Sequence, residues 1–120
     1  MPLRILINDD NESISALLND ILEIQSHTGE IASTGMEAKA KVDAEKFDVA
    51  FCDITLPDMS GWEVISYIRE TSPETKIIVI SGLGDTLPQD KLKEYGVNYT
   101  VNKPFQINDV QEVLQQIEGQ

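Results

Sequence analysis

The sequence predicts a doubly wound α/β domain, in which one parallel sheet of five strands carries helices on both faces. Short apolar segments alternate five times with longer amphipathic or polar segments, as strands joined by helical crossovers do. The apolar segments are almost continuously hydrophobic, which is typical of strands buried on both faces. With 120 residues, 41% of them hydrophobic, the chain has the size of one domain, and we assign residues 1–120 to it.

The first half of the chain predicts three strands and two helices. Residues 4–8 form an apolar run that predicts a buried strand, and Asp10 or Asn11 is the expected cap of the helix that follows. Apolar residues three and four positions apart mark this helix at Ile14, Leu17, Leu18, Ile21 and Leu22. A weak strand, a helix with a poor apolar stripe and a strong strand are then predicted at residues 30–33, 36–46 and 47–52.

The second half predicts three helices and two strands. The third helix, the fourth strand, the fourth helix and the fifth strand are expected at residues 62–69, 77–80, 88–95 and 99–102. Ser60 and Gly61 open the third helix, Pro88 lies in the first turn of the fourth, and Gly96 ends it. The fifth helix carries its apolar face on Ile107, Val110, Leu114 and Ile117. Because the fourth helix has few large apolar residues, we expect it to be weakly anchored.

The charge balance and the cysteine count restrict the function and the compartment. Nine basic and 21 acidic residues give a net charge of −12, so direct binding to nucleic acid or to an anionic membrane is not expected. Cys52 is the only cysteine, which excludes an internal disulfide and fits a reducing compartment. The sequence shows no apolar run of signal-peptide or membrane-span length. We therefore predict a cytoplasmic protein.

Three conspicuous residues have ordinary interpretations. Cys52 is expected to be a small buried hydrophobe on the third strand. His27 lacks a second His or Cys at ligand spacing, so we predict a surface histidine and no zinc site. Trp62 is expected to pack on the helix that it begins.

Polar residues end four of the predicted strands. Asp9 and Asp10 follow the first strand, Asp53 the third, Ser81 the fourth and Lys103 the fifth. The carboxyl ends of parallel strands share one edge of the sheet, where ligands bind. Crowded carboxylates need a cation, and Mg²⁺ takes one or two carboxylates together with phosphate oxygens. A carboxylate there can accept a phosphoryl group, with a lysine charge and a serine hydroxyl on its oxygens.

Four spaced segments carry a resemblance to a known family. They are Ile-Leu-Ile-Asn-Asp-Asp at 5–10, Asp-Ile-Thr-Leu-Pro-Asp-Met-Ser-Gly at 53–61, Ile-Val-Ile-Ser-Gly at 78–82 and Lys-Pro-Phe at 103–105. In this order and spacing they resemble the response-regulator receiver domain of two-component signalling, over essentially the whole chain. The resemblance implies the flavodoxin-like (βα)5 fold of chemotaxis regulators, with strand order 2-1-3-4-5.

The resemblance also implies a role for each matching residue. Asp9 and Asp10 match the metal-binding acidic pair, and Asp53 matches the phosphoacceptor, which also contacts the metal. The other implied site features are the metal-ligating backbone carbonyl of Thr55, the switch hydroxyl of Ser81, the phosphate-sensing Lys103 with a cis bond to Pro104, and Gly61, which lets the loop turn into the third helix.

The implied function is a phosphorylation-dependent switch. A sensor histidine kinase or a phosphotransfer protein would phosphorylate Asp53 with Mg²⁺. The surface of the fourth helix, fifth strand and fifth helix would then change and control an output domain or target protein, or form a homodimer. Such a domain is no separate enzyme, since it catalyses only its own phosphoryl transfer and dephosphorylation.

Three positions depart from the receiver pattern. Asn8 stands where an apolar residue is usual, and Asn11 where an acidic one is common. Thr100 occupies the switch position that often holds Tyr or Phe. Tyr99 is adjacent, but side chains alternate along a strand, so Tyr99 is expected to face the other side.

Two other classes compete with this interpretation. A phosphatase resembling the haloacid dehalogenase class would use an aspartyl phosphate, and Gly84-Asp85 with Asp90 is faintly similar to one of its acidic motifs. That class needs a second aspartate two residues after the nucleophile, where this chain has Thr55. In that class the lysine also precedes the acidic motif in the chain, whereas Lys103 follows Asp85 and Asp90. The other alternative is an interaction module, either a receiver that accepts no phosphate or a flavodoxin-like cofactor binder. A flavodoxin-like cofactor site would need a phosphate-binding loop rich in Ser, Thr and Gly after the first strand. The negative charges of Asp9 and Asp10 at that place oppose phosphate binding.

Overall fold

The computed structural model describes residues 2–83 and 86–119 and contains five strands and five helices. The strands are β1 Arg4–Asn8, β2 Thr28–Ala32, β3 Val49–Asp53, β4 Lys76–Ser81 and β5 Tyr99–Asn102. The helices are α1 Glu12–Ile24, α2 Gly35–Ala44, α3 Gly61–Thr71, α4 Gln89–Glu94 and α5 Ile107–Glu118. All strands are parallel, in the order β2-β1-β3-β4-β5, so the predicted fold and strand order are confirmed. Gly84 and Asp85, used by the phosphatase hypothesis, lie outside the described residues.

The two faces of the sheet are covered by different helices, because alternate strand residues point to opposite sides. In β1, Leu6 packs with the core on the side of α2 and α3, whereas Ile5 and Ile7 pack with α1 and α5. Cys52 is buried on the side of α2 and α3, as predicted. Among the described residues, no helix combines the length and apolar character needed to cross a membrane.

Element bounds differ from the sequence prediction where pairing decides them. β2 begins at Thr28, two residues early, because Thr28 pairs with Arg4 at the start of β1. β3 begins at Val49, and Phe47 is buried before it. Pro88 lies at the N-cap of α4, not in its first turn. Gly96, with φ +67°, follows the end of α4 as expected of a helix stop.

Some burial predictions are wrong. Leu17 and Ile107, assigned to apolar helix faces, are 41% and 48% exposed. His27, predicted at the surface, is 5% exposed because polar partners satisfy both ring nitrogens. Its Nδ1 accepts a hydrogen bond from the Leu3 N–H at 3.0 Å, and its Nε2 lies 3.1 Å from Glu118 Oε1.

The fourth helix is the weakly anchored element that the sequence predicted. α4 contributes no buried side chain, and the buried Leu87 precedes it. Trp62 of α3 packs on the core and stacks on Tyr95, with ring centroids 5.4 Å apart. The contacts of Trp62 therefore extend to the end of α4, beyond the helix that it begins.

Candidate functional site at the carboxyl edge of the sheet

The carboxyl ends of the strands bring three of the predicted site residues into direct contact. Lys103, just after β5, places its Nζ 2.8 Å from Asp9 Oδ2 and 3.0 Å from Asp53 Oδ2. Asp9 and Asp53 are buried, whereas the Lys103 side chain is 23% exposed. One ammonium group thus links two carboxylates that follow β1 and end β3. The expected cis bond between Lys103 and Pro104 is present.

Local hydrogen bonds hold Asp9 in place. Its Oδ1 accepts from the Asn11 N–H at 2.9 Å, and its backbone carbonyl accepts from the Ser15 hydroxyl at 3.1 Å. Asn11 in turn caps α1, since its Oδ1 accepts from the Ile14 N–H at 3.1 Å. The start of α1 therefore fixes the loop that carries the acidic pair.

The loop after Asp53 is shaped by a close backbone approach. Asp53 Oδ1 accepts from the Thr55 N–H at 3.0 Å, and the Gly61 N–H donates to the Ile54 carbonyl at 2.9 Å. A Cβ at Gly61 would lie 2.0 Å from the carbonyl oxygen of Asp53. Only glycine allows α3 to begin this close to the end of β3, which gives a physical reason for the glycine at position 61.

The electrostatics of the cluster favour a bound cation. Burial raises the pKa of Asp53; the Thr55 N–H and Lys103 oppose this effect, and the charge of Asp9 adds to it. Burial lowers the pKa of Lys103, but Asp9 and Asp53 outweigh this effect, so the net direction is upward. The ionised carboxylates are thus costly without a positive charge, and Lys103 supplies one.

The acidic residues also fit a hard divalent cation. Oxygens of Asp9, Asp10 and Asp53 lie within 4.8 Å of one another, with Asp10 exposed to solvent. The buried Oδ2 of Asp9 has the Lys103 ammonium as its partner, at 2.8 Å. Carboxylate oxygens are ligands that Mg²⁺ prefers, and the exposed side leaves room for its waters. The Thr55 carbonyl stays a predicted ligand.

Of the two predicted switch residues, Ser81 adjoins this cluster through its backbone, because its carbonyl accepts from the Lys103 N–H at 2.8 Å. Ser81 ends β4, is 2% exposed, and its Oγ accepts from the Leu83 N–H at 2.9 Å. Thr100 pairs with Val79, two residues before Ser81, and is exposed in a groove between α4 and β5. Tyr99 packs with the core on the side of α1 and α5. The prediction that Tyr99 faces that other side is confirmed.

Sequence reasoning gave no role to two polar residues beside the site, although it noted Asn8 as a departure from the receiver pattern. Asn8 Nδ2 donates to the carbonyls of Ala32 and Thr34 at 3.0 and 3.1 Å. Asp58 accepts from the N–H groups of Gly35 and Met36 at 2.8 and 3.0 Å. For Asn8 the sequence did contain a signal, since a polar residue in an apolar strand indicates a buried hydrogen bond. The partners of Asp58 lie more than 20 residues away, so its contacts leave no local sequence pattern.

The sheet order and the acidic edge define a flavodoxin-like α/β domain with a cluster of three carboxylates at the carboxyl ends of its strands. The family model described as the response regulator receiver domain matches residues 5–115, and the chain belongs to this family of two-component signalling domains. The family assignment decides against the phosphatase and flavin-binding alternatives.

Individual relatives agree with the family. The chain is 34% identical to the chemotaxis protein CheY of Thermotoga maritima over 119 residues, which are 98% of each chain. The solved CheY-like receiver domain of Methanospirillum hungatei is similar at a TM-score of 0.90 and 30% identity, over 99% of this chain and 96% of that one. A structure described as the BeF3-activated DrrB receiver domain is also 30% identical, with a TM-score of 0.88 over all of both chains.

Proposed function

We propose that this domain is a phosphorylation switch in which Asp53 accepts a phosphoryl group, with Mg²⁺, from a sensor histidine kinase or a phosphotransfer protein. The observation that carries this proposal is the position of Lys103 Nζ, within 3.0 Å of carboxylate oxygens of both Asp9 and Asp53. A positive charge beside an acceptor carboxylate is what an incoming phosphoryl group needs.

The residues divide the chemistry among them. An oxygen of Asp53 attacks phosphorus and forms the acyl-phosphate bond, while the bond from phosphorus to the donor histidine nitrogen breaks and its electron pair stays with the imidazole. Asp9, Asp10, Asp53 and the Thr55 carbonyl would hold Mg²⁺, which neutralises negative charge on the carboxylates and the phosphoryl oxygens. Lys103 neutralises further charge on these oxygens.

The switch is proposed to run from Ser81 to the surface of α4, β5 and α5. Accepting from the Leu83 N–H leaves the Ser81 hydroxyl hydrogen for donation to a phosphoryl oxygen. A rotation toward the phosphoryl group would release Leu83, which begins the segment leading to α4. α4 itself has no buried side chain, so we expect that helix to move at low cost. An output domain, a target protein or a second copy would bind the altered surface.

Exposed apolar residues beside the site support docking of the donor protein there. Leu17 and Ile107 are 41% and 48% exposed and line one groove with the half-buried Phe105. Phe105 lies two residues after Lys103, and α1 starts just after the acidic pair. A donor that covers this groove would exclude water from the phosphoryl group during transfer.

Intact mass spectrometry tests the acceptor. Acetyl phosphate or phosphoramidate with Mg²⁺ should add one phosphoryl group to the protein, and EDTA should prevent the addition. Asp53→Asn should abolish it because the amide oxygen is a poor nucleophile. Asp20→Asn, which changes an exposed carboxylate on α1, is the matched control and should be phosphorylated normally. An unchanged mass increment in Asp53→Asn would rule out this acceptor, and a wild-type protein that takes no phosphoryl group would fit the interaction-module alternative.

A further inference from the structure

The junction between β2 and α2, residues 32–36, is bound to the end of β1 by a buried polar contact. Asn8 is fully buried, and its amide donates to the carbonyls of Ala32 and Thr34. The Asp9 N–H also donates to the Ala32 carbonyl at 3.2 Å. The residue before the acidic pair, and the first acid itself, are therefore tied to this junction.

The same junction is bound from its other side by the loop after β3, residues 54–60. Asp58 lies in that loop and accepts from the N–H groups of Gly35 and Met36, the first two residues of α2. The Gly35 N–H is the main reason that the pKa of Asp58 is lowered, so the carboxylate stays charged. Met59 covers Gly35 so closely that a Cβ there would lie 2.4 Å from Met59 Cγ.

These contacts place the β2–α2 junction between the two loops of the acidic site. One loop carries Asp9 and Asp10, and the other follows Asp53 and carries Thr55. Asp58 is exposed, so its contribution lies in its two charge-assisted hydrogen bonds and not in core packing. The loop itself is closed by the bridge of Thr55 with Ser60 and by the hydrogen bond from the Gly61 N–H to the Ile54 carbonyl.

We propose that Asp58 is a positioning residue for the metal site. By holding the 54–60 loop on the start of α2, it fixes the direction of the Thr55 backbone relative to Asp9 and Asp10. Asn8 holds the end of β1, and with it the loop of Asp9 and Asp10, on the same β2–α2 junction. Both loops of the acidic site are therefore bound to this junction. This inference rests on the proposed Mg²⁺ and phosphoacceptor roles and adds to them a residue that touches neither the metal nor the phosphoryl group.

Two caps of the same helix allow a matched experiment. Thr34 also caps α2, since its Oγ1 accepts from the Glu37 N–H at 3.1 Å, but this bond does not involve the 54–60 loop. Thr34→Ala and Asp58→Ala should therefore lower the melting temperature alike, as losses of a helix cap. Only Asp58→Ala should weaken Mg²⁺ binding, by about 10-fold, as removal of a residue that orients metal ligands does.

Mg²⁺ titrations followed by backbone amide shifts measure the affinity, and phosphoramidate supplies the phosphorylation rate. Asp58→Asn keeps one acceptor oxygen, should fold like the wild type, and should give a smaller loss of affinity together with altered shifts at Gly35, Met36 and Thr55. Equal effects of Thr34→Ala and Asp58→Ala on Mg²⁺ affinity, or no effect of either Asp58 variant, would overturn the positioning role. If the wild-type protein binds no Mg²⁺ and takes no phosphoryl group, the proposed function fails together with this inference.

Discussion

Lys103 shows how one side chain can serve the site before and after a metal binds. Without a divalent cation, its ammonium is the positive charge nearest to Asp9 and Asp53, at 2.8 and 3.0 Å. Both carboxylates raise the pKa of Lys103 against the opposing effect of burial, so the group stays charged at neutral pH. Mg²⁺ would compete with Lys103 for the same oxygens, and the displaced lysine would be free to reach phosphoryl oxygens.

This competition leads to a prediction that separates the lysine from the ligands. Asp10→Ala should weaken Mg²⁺ binding, because it removes an oxygen from the acidic group. Lys103→Ala should leave Mg²⁺ binding unchanged or tighter, because it removes a competing cation, yet it should slow phosphorylation. Isothermal titration with MgCl2 measures both variants. Loss of affinity in Lys103→Ala as large as in Asp10→Ala would show that the lysine supports the metal instead of competing with it.

At the scale of elements, the two ends of α4 are held differently, by side-chain hydrogen bonds after its last residue and by packing of the buried Leu87 before its first. Arg69 of α3 donates to the carbonyls of Tyr95 and Gly96 at 3.1 and 2.7 Å, just after the helix ends. It also bonds Asn98 Oδ1 at 2.9 Å. The other end of α4 starts at Pro88 without a side-chain cap and follows the loop that begins at Ser81. A signal from Ser81 therefore reaches the end of α4 that lacks a side-chain cap first, and we expect the Arg69 end to act as the pivot.

The small side chain at Thr100 should limit how strongly the active state is favoured. In the receiver pattern an aromatic residue at this position fills the space that the switch hydroxyl vacates. Thr100→Tyr should therefore enlarge the amide shift changes that beryllofluoride, a phosphoryl mimic, causes between Thr86 and Leu92. Shifts at Tyr95 and Gly96 should change least, because Arg69 holds their carbonyls.

Asp53→Asn is the control for the beryllofluoride experiment, since it removes the proposed attachment site. Shift changes that centre on Tyr99, or that are the same in Thr100→Tyr and the wild type, would disprove the role given to position 100. Amide shift changes of equal size from Thr86 to Gly96 would show that the Arg69 end of α4 is not a pivot.

For the whole molecule, the site was more predictable than its support. The sequence predicted that the strand-end residues Asp9, Asp53 and Lys103 lie close together. Each follows or ends an apolar run, and the carboxyl ends of parallel strands share one edge of the sheet. The start of β2 was misplaced because pairing with Arg4, not local hydrophobicity, sets it. Asp58 and His27 were missed or misjudged because their partners lie 22 to 91 residues away, and sequence periodicity reports only local neighbours.

His27 illustrates such a long-range contact at the edge of the sheet opposite the site. It lies between α1 and β2 and joins Leu3, next to the first strand, to Glu118 at the end of the last helix. The Leu3 N–H can only donate, so Nδ1 carries no proton, and the ring proton lies on Nε2 and is donated to Glu118. The hydrogen bonds of His27 thus connect the end of α1 to the start of β1 and to the end of α5.

Replacing His27 should lower global stability without touching the site. His27→Leu leaves the half-buried Leu3 N–H without its acceptor, so the free energy of unfolding should fall by about 1–3 kcal/mol in urea titrations. Glu118→Gln keeps an acceptor oxygen for Nε2 and should cost less than His27→Leu. Mg²⁺ affinity should be unchanged in both variants, because His27 precedes β2 and the metal-binding carboxylates lie at the opposite ends of the strands. A loss below about 0.5 kcal/mol in His27→Leu, the size typical of surface substitutions, would show that the buried contact contributes little to the fold.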